Sequence, residues 1–168
     1  MTLAFCALIA LAPLRPGMAQ RPAIDCNWLL VDTTTKTATL ALVAGLTGAN
    51  RGLNFDGFKE GALTFSVPLN WNVVIAFRNQ DSLPHSVIVI DSVAPLPAVP
   101  AAPAFPGAMT GRLVPGIARA GTDTLRFVAS KLGAYEIVCG VRGRGLAGMW
   151  IRLRVSATDK RPYLAAPR

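Results

Sequence analysis

Apolar, β-branched and aromatic residues recur in seven short stretches of this chain, most of them with a period of two. That period is typical of half-buried β-strands. Gly, Asn, Asp and Pro separate the stretches, and no helical period is sustained. Many short strands with turn signals between them predict an antiparallel β-sandwich or barrel. The predicted strands cover residues 37–43, 63–67, 73–77, 86–90, 125–127, 135–139 and 151–155.

One long stretch cannot belong to a β-ladder. Residues 94–107 contain prolines at positions 95, 97, 100, 103 and 106. Each proline lacks the N–H group that a ladder needs. The stretch is therefore predicted to be a long, stiff, extended connection across the surface, with a functional loop and a plain crossover both open as its role.

The N-terminus has the pattern of an export signal. Residues 3–14 are an apolar run too short to span a bilayer as a helix, and the small residues around Ala19 resemble a cleavage site. We expect residues 1–19 to be a signal peptide or a short N-terminal anchor, followed by an N-terminal segment at 20–36. The domain is then expected to be periplasmic or otherwise extracytoplasmic, either free or associated with a membrane.

The excess of positive over negative charge lies in the last third of the chain. The net charge is +8, and residues 112–168 alone carry eleven basic and three acidic side chains. A one-sided positive field suits an acidic protein partner or an anionic membrane surface, although a solubilising arginine-rich surface explains it equally well. No basic run alternates with aromatic residues, so nucleic acid is not an expected partner.

The single histidine limits the chemistry. With one imidazole, no phosphate-binding glycine loop and no Ser-His-acid set, the chain is not expected to be an enzyme. The cysteines left after cleavage are Cys26 and Cys139, and an exported domain can pair them. Cys139 is either a thiol whose pKa is lowered by Arg144 or a buried apolar side chain.

Several motifs in combination resemble the cupredoxins, or blue-copper proteins, and most closely their sulfocyanin and plastocyanin-like branch. The resemblance covers about residues 37–157 and implies a Greek-key β-sandwich domain with the Pro-rich connection inside it, followed by a basic tail at 158–168. The motifs are Phe77-x-Asn79-x-Asp81-x-x-Pro84-His85-Ser86, the Ala-Phe-Pro-Gly-Ala run at 104–108, Gly133-x-Tyr135-x-x-x-Cys139-Gly140-Val141, and Gly148-Met149-Trp150.

The resemblance implies a type-1 copper site. Such a site takes two imidazoles, one thiolate and a weak axial thioether. In the branch that this chain resembles, one histidine lies upstream and a Cys-x4-His-x4-Met loop supplies the other three ligands. The matching residues here are His85, Cys139 and Met149, and Arg144 occupies the position of the second histidine.

Arg144 leads to the prediction that the copper site is degenerate. A guanidinium has no lone pair for a metal, and at about 4 Å it repels each unit of charge by about 4 kcal/mol at an effective dielectric of 20. We therefore expect no cofactor. The expected function is a copper-free docking subunit of a periplasmic membrane-bound electron-transfer assembly, of the photosynthetic reaction-centre or terminal-oxidase type.

The expected partner of that subunit is an acidic surface of the membrane complex or of a cytochrome, met by a basic docking face, with contact to the membrane surface as a further expectation. The alternative is an atypical electron carrier or Cu(I) carrier that holds copper with His85, Cys139 and Met149. The residues assigned to the docking face are Arg142, Arg144, Arg152 and Arg154.

Overall fold

The computed structural model describes residues 22–166, which form two β-sheets packed face to face. This range contains no α-helix, and neither of its two short 3-10 helices, Cys26–Trp28 and Ala49–Gly52, is long and apolar enough to cross a membrane. The predicted signal peptide or anchor lies outside the described residues. The strands are β1 (Leu29–Asp32), β2 (Thr37–Ala44), β3 (Thr64–Pro68), β4 (Asn72–Asn79), β5 (Ile88–Asp91), β6 (Thr122–Val128), β7 (Gly133–Val138), β8 (Trp150–Ser156) and β9 (Tyr163–Ala165).

The chain passes back and forth between the two sheets. One sheet has the strand order β1-β2-β4-β6 and the other β5-β7-β8-β3-β9. The all-β sandwich predicted from the sequence is confirmed. Its pairing is mixed, however, because β2 pairs with β4 and β3 with β8 in parallel. In each case the chain leaves the sheet and returns to it running in the same direction. The alternation of apolar and polar residues within one strand does not reveal this.

Alternating side chains from both sheets meet in one core. Every second residue of β2 is buried, and the register between β2 and β4 places Leu40 beside Ile75 and Leu42 beside Phe77. The opposite sheet contributes Phe65, Ile137 and Leu153 to the same cluster. A fully buried side chain of this size stabilises the fold by about 1.5–3 kcal/mol, so the interface between the sheets provides the main stability.

The Pro-rich connection contains no strand, as predicted, but it is anchored in the core. Phe105 is buried and stacks on Phe127 with 5.2 Å between ring centroids, and its ring lies 4.7 Å from that of Tyr135. The Tyr135 hydroxyl donates to the carbonyl of Lys131 at 2.8 Å. Residues 94–107 are thus fixed at one end by an aromatic side chain.

Two strands were not predicted. β1 is an edge strand whose apolar Leu30 is 66% exposed, so its sequence shows no buried face. β9 lies in the predicted basic tail and pairs with β3, which precedes it by about a hundred residues. β1 is placed by a hairpin with β2 and β9 by pairing with the distant β3, so neither is marked by a buried face of its own.

A buried carboxyl group lies beside the end of β2. Asp56 is fully buried and has a left-handed backbone with φ of 53°. Its Oδ1 accepts a hydrogen bond from the Val43 amide at 2.8 Å, while Oδ2 has no partner within the described part of the chain. Burial raises the pKa of Asp56 to about 7, against the opposing effect of the Val43 N–H.

Candidate metal centre

His85 is held in the connection between β4 and β5, where its side chain is fully buried. Its amide donates to the carbonyl of Ile117 at 3.1 Å, and the Ile117 amide donates back to the His85 carbonyl at 2.7 Å. Pro84 restricts the backbone just before the histidine. These constraints fix the backbone of His85, and so position its imidazole, without a bound ligand.

Asn79 and Asp81 order the loop that carries His85. The Asn79 amide group donates to the carbonyls of Leu83 and Ile117, both at 2.8 Å, and its Oδ1 accepts from the Asp81 amide at 2.9 Å. Asp81 Oδ2 lies 2.8 Å from His85 Nε2. Because an ionised carboxylate only accepts, Nε2 carries the proton and Nδ1 keeps a free lone pair.

Two glycines make room for the Asp81 side chain. A Cβ atom on Gly45 would lie 2.6 Å from Asp81 Cβ, and one on Gly52 would lie 2.8 Å from Asp81 Oδ2. Both glycines also have positive φ, at 68° and 84°. Asp81 also has a turn role, because its Oδ1 accepts from the Ser82 amide at 2.6 Å. The Asn-x-Asp-x-x-x-His spacing was the signal for its contact with the histidine.

The loop between Cys139 and Met149 is closed by its own backbone. The Cys139 amide donates to the Met149 carbonyl at 3.1 Å, and the Met149 amide donates to the Arg144 carbonyl at 3.0 Å. Gly143 and Gly148 take positive φ values of 75° and 91°, which allow the tight coil. Cys139 and Met149 are both buried in the main core cluster. A short loop thus brings thiol and thioether residues together, as predicted.

The Cys139 thiol faces the free nitrogen of His85. Sγ lies 3.7 Å from His85 Nδ1, and the backbone N–H groups of Ser86 and Val141 act to lower the pKa of the thiol. Burial raises the pKa of Cys139, and the Arg144 charge and these amides only partly oppose it. Of the two roles left open for Cys139, the structure favours the buried side chain: the Arg144 charge acts to lower the pKa, but desolvation of the thiolate exceeds that effect.

Arg144 lies over the imidazole ring. Its Nη1 donates to the Pro84 carbonyl and lies 2.8 Å from His85 Nδ1 and 3.1 Å from Nε2. The ring nitrogens point away from each other, so an atom nearly equidistant from both lies over the ring and not on the lone-pair axis of either. The guanidinium therefore leaves the direction from Nδ1 towards Cys139 open.

The charges of the metal-free site follow from this packing. Burial lowers the pKa of His85 and the Arg144 charge adds to this, while Asp81 opposes both. The pKa of Asp81 is also lowered: burial acts to raise it, but the hydrogen bonds from His85 and Ser82 and the His85 charge together exceed that effect. Near neutral pH the site thus holds a neutral imidazole and an ionised aspartate.

The four predicted docking arginines come from two different elements. Arg142 and Arg144 belong to the Cys139–Met149 loop, whereas Arg152 and Arg154 project from β8 in the middle of the five-stranded sheet. Arg152 lies 5.4 Å from the ring centroid of Trp150, and Arg154 is 5.9 Å from that of Tyr163. Arg154 also pairs with Asp159 at 2.8 Å.

The two described cysteines are not joined. Cys26 is exposed, Cys139 is buried and both are free. A disulfide between them, left open by the sequence, is absent from the described residues.

The donors at this centre fit a soft metal ion. Metal–nitrogen and metal–sulfur bonds of about 2.0 and 2.3 Å, as found for zinc, sum to more than the 3.7 Å between His85 Nδ1 and Cys139 Sγ. One ion can therefore bond to both atoms. Within residues 22–166, no three His, Cys, Asp or Glu side chains converge as a metal site. The remaining donor that the motif matches is the thioether of Met149, which is buried in the same core cluster as Cys139.

A two-sheet sandwich that joins an upstream histidine to a Cys…Met loop defines the cupredoxin class. A family model, the Sulfocyanin (SoxE) domain, matches residues 25–166. This chain belongs to the sulfocyanin family. It is also 29% identical to the sulfocyanin of Sulfolobus acidocaldarius over 138 residues, which cover 78% of this chain and 69% of the relative.

Solved structures share the fold. Rusticyanin from Thiobacillus ferrooxidans superimposes with a TM-score of 0.55 at 22% identity, covering 77% of this chain and 88% of its own. Auracyanin B superimposes with a TM-score of 0.52 at 22% identity, covering 76% and 94%. At these identities the likeness supports the β-sandwich alone.

Two predictions about function are corrected by these findings. The copper-free docking subunit and the absence of a cofactor are both wrong, because the chain is a sulfocyanin in which His85, Cys139 and Met149 are clustered as in a blue-copper site. The argument from Arg144 failed because it assumed a charge in the place of a ligand, whereas the guanidinium lies over the ring. Photosynthesis and a degenerate site are likewise unsupported. The prediction that the chain is not an enzyme is confirmed, since the family consists of electron carriers.

Proposed function

We propose that this protein is a copper-binding electron carrier in which His85 Nδ1, Cys139 Sγ and the Met149 thioether hold the ion. The observation that carries the proposal is the 3.7 Å contact between Nδ1 and Sγ, with the Nε2–H of the same ring fixed by Asp81. Copper in such a site exchanges one electron between Cu(I) and Cu(II).

Each neighbouring group has a role in holding the ion. Asp81 fixes the tautomer and orientation of the imidazole, which is the usual function of a carboxylate behind a metal-bound histidine. The amides of Ser86 and Val141 stabilise the thiolate that forms when the buried thiol loses its proton to solvent on metal binding. The loop backbone holds Cys139 and Met149 at neighbouring points.

Copper loading with matched cysteine variants tests the proposal. We expect the wild-type protein and C26S to bind one copper per chain by elemental analysis, because the exposed Cys26 is not one of the proposed ligands. C139S should lose copper, and H85F should weaken binding by at least tenfold. A wild-type protein that elutes metal-free after incubation with Cu(I) or Cu(II) would overturn the proposal.

We also propose an acidic, one-electron protein as the partner and an extracytoplasmic location for the domain. The net charge of +8 and the Arg142–Arg144 pair beside the centre support an acidic partner. Electron exchange with an acidic cytochrome should be faster than with a basic one, and the difference should shrink as salt rises from about 10 to about 150 mM, which shortens the screening length from roughly 30 Å to roughly 8 Å. Equal rates would contradict this partner.

A further inference from the structure

Arg144 is the one feature of this centre that the copper-site motif does not explain. Its backbone is fixed in the loop, because its amide donates to the Val141 carbonyl at 3.1 Å and its carbonyl accepts from the Met149 amide. Its guanidinium is fixed by the Pro84 carbonyl and the face of the His85 ring. Arg144 is half-buried, and these contacts hold both its backbone and its side chain in place. It is therefore a structural part of the centre.

The charge of Arg144 is not neutralised by a carboxylate. Among residues 22–166 no Asp or Glu forms an ion pair with it, and the nearest acidic group of the centre, Asp81, is bonded to His85 Nε2. A guanidinium is charged at every working pH. Any ion bonded to His85 Nδ1 therefore lies close to a permanent positive charge, since Arg144 Nη1 is 2.8 Å from the same nitrogen.

Such a charge discriminates between the two oxidation states of copper. Repulsion is proportional to the charge of the ion, so Cu(II) is penalised about twice as much as Cu(I). The donors act in the same direction, because a thiolate and a thioether with one imidazole are the soft, few ligands that Cu(I) tolerates. No second imidazole is present to compensate Cu(II).

We propose that Arg144 makes this centre selective for Cu(I), because its fixed charge lies over the ring of the one imidazole ligand and its side chain supplies no fourth donor. This inference rests on the proposed copper site. Cu(II) gains one electron from a one-electron donor protein and becomes Cu(I), which later passes that electron to an acceptor of the same class. The protein accordingly rests in the reduced state and is a strong one-electron acceptor when oxidised.

The reduction potential of the copper-loaded full-length protein tests the role of Arg144. Wild type, R144Q and R142Q are titrated against ferricyanide and ferrocyanide, with dissociation constants for each ion measured by chelator competition. R144Q should lower the preference for Cu(I) over Cu(II) at least tenfold, which is about 59 mV for one electron. R142Q removes an equal charge from an exposed position of the same loop. It should change the preference for Cu(I) over Cu(II) less than threefold.

Two more variants separate charge from packing. R144K keeps the charge without the planar stack and should stay within threefold of wild type, whereas a purely structural arginine would make R144K resemble R144Q. R144H adds an imidazole and should stabilise Cu(II), with an intense visible thiolate-to-copper band. Near-ultraviolet circular dichroism of the metal-free variants checks that each is folded.

The outcomes distinguish this inference from the proposed function. If wild type binds no copper, the copper carrier itself is wrong. If wild type binds copper but R144Q and R142Q have the same preference, the carrier stands and the role of Arg144 is refuted. Copper that remains Cu(II) in wild type in the presence of ferrocyanide also refutes it.

Discussion

Asp56 and Asp81 are loop aspartates whose pKa values are shifted in opposite directions. Each is positioned by the end of a strand of the same sheet, Asp56 beside β2 and Asp81 after β4. Asp81 bonds to His85 and to backbone amides, and its pKa is lowered. Asp56 has one amide and an oxygen without a partner, and its pKa is raised to about 7. Depth and donors act together: Asp56 is fully buried with one amide donor, whereas Asp81 is only partly buried and accepts several hydrogen bonds, so only Asp81 keeps its charge at low cost.

The largest expected effect concerns Asp56 and the pH dependence of stability. Its pKa is about 7 when folded against 3.8 for the unfolded reference, so the folded state binds more protons between these values. Stability is therefore lost as the pH rises from about 4 to about 7, by about 4 kcal/mol at most. D56N should remove most of this loss in urea unfolding of the metal-free protein at pH 4.5, 6 and 8.

The exposed Asp91 provides the control for that measurement, because D91N changes a carboxyl of the same type on the surface. D91N should keep the wild-type pH profile. Asparagine is among the residues that tolerate the left-handed backbone at position 56, so D56N tests charge with little added strain. If D56N and wild type lose stability in parallel, Asp56 is ionised when folded and its contrast with Asp81 is void.

The next effect is on copper binding, where the roles of the two aspartates reverse. D81A removes the carboxylate that orients His85, and loss of such a group typically lowers metal affinity 10–100-fold. Chelator competition with Cu(I) should show this decrease for D81A and less than a threefold change for D56N. Equal affinities for D81A and wild type would show that the loop backbone alone orients the imidazole.

The smallest effect tests whether Asp81 needs the space that the glycines provide. G45A places a Cβ against Asp81 Cβ and forces alanine into a φ of 68°, which costs about 1–2 kcal/mol. Copper affinity should fall less than tenfold, since Asp81 is displaced rather than lost. G48A, where the added Cβ meets nothing within 4 Å, is the matched control and should bind like wild type.

The sequence predicted most of the sandwich because burial on one face produces a period of two. Seven strands were located in this way, including β2 and β8, whose buried residues alternate. β1 and β9 were missed because their place depends on a partner strand. The strand predicted at 86–90 begins only at Ile88, since the preceding residues are bonded instead to the loop at Ile117 and Thr110.

The candidate centre was predicted residue by residue, but its electrostatics were not. The motif spacing identified His85, Cys139 and Met149. The sequence could not show the direction of the Arg144 side chain, and a charge argument without a direction led to the wrong function. The raised pKa of Asp56 also could not be predicted from the sequence, because it depends on burial in the folded chain, which a single amide donor only partly offsets.

The backbone bonds that close the Cys139–Met149 loop make the centre independent of its ion. Since amides and carbonyls hold the ends of the loop, and glycines allow its coil, the folded chain offers its sulfur and nitrogen atoms before a metal arrives. Capture and release of the ion then need no refolding of the sandwich. Under the proposed function, the metal-free and copper-loaded proteins therefore share one fold, and loss of the ion leaves its donors in place.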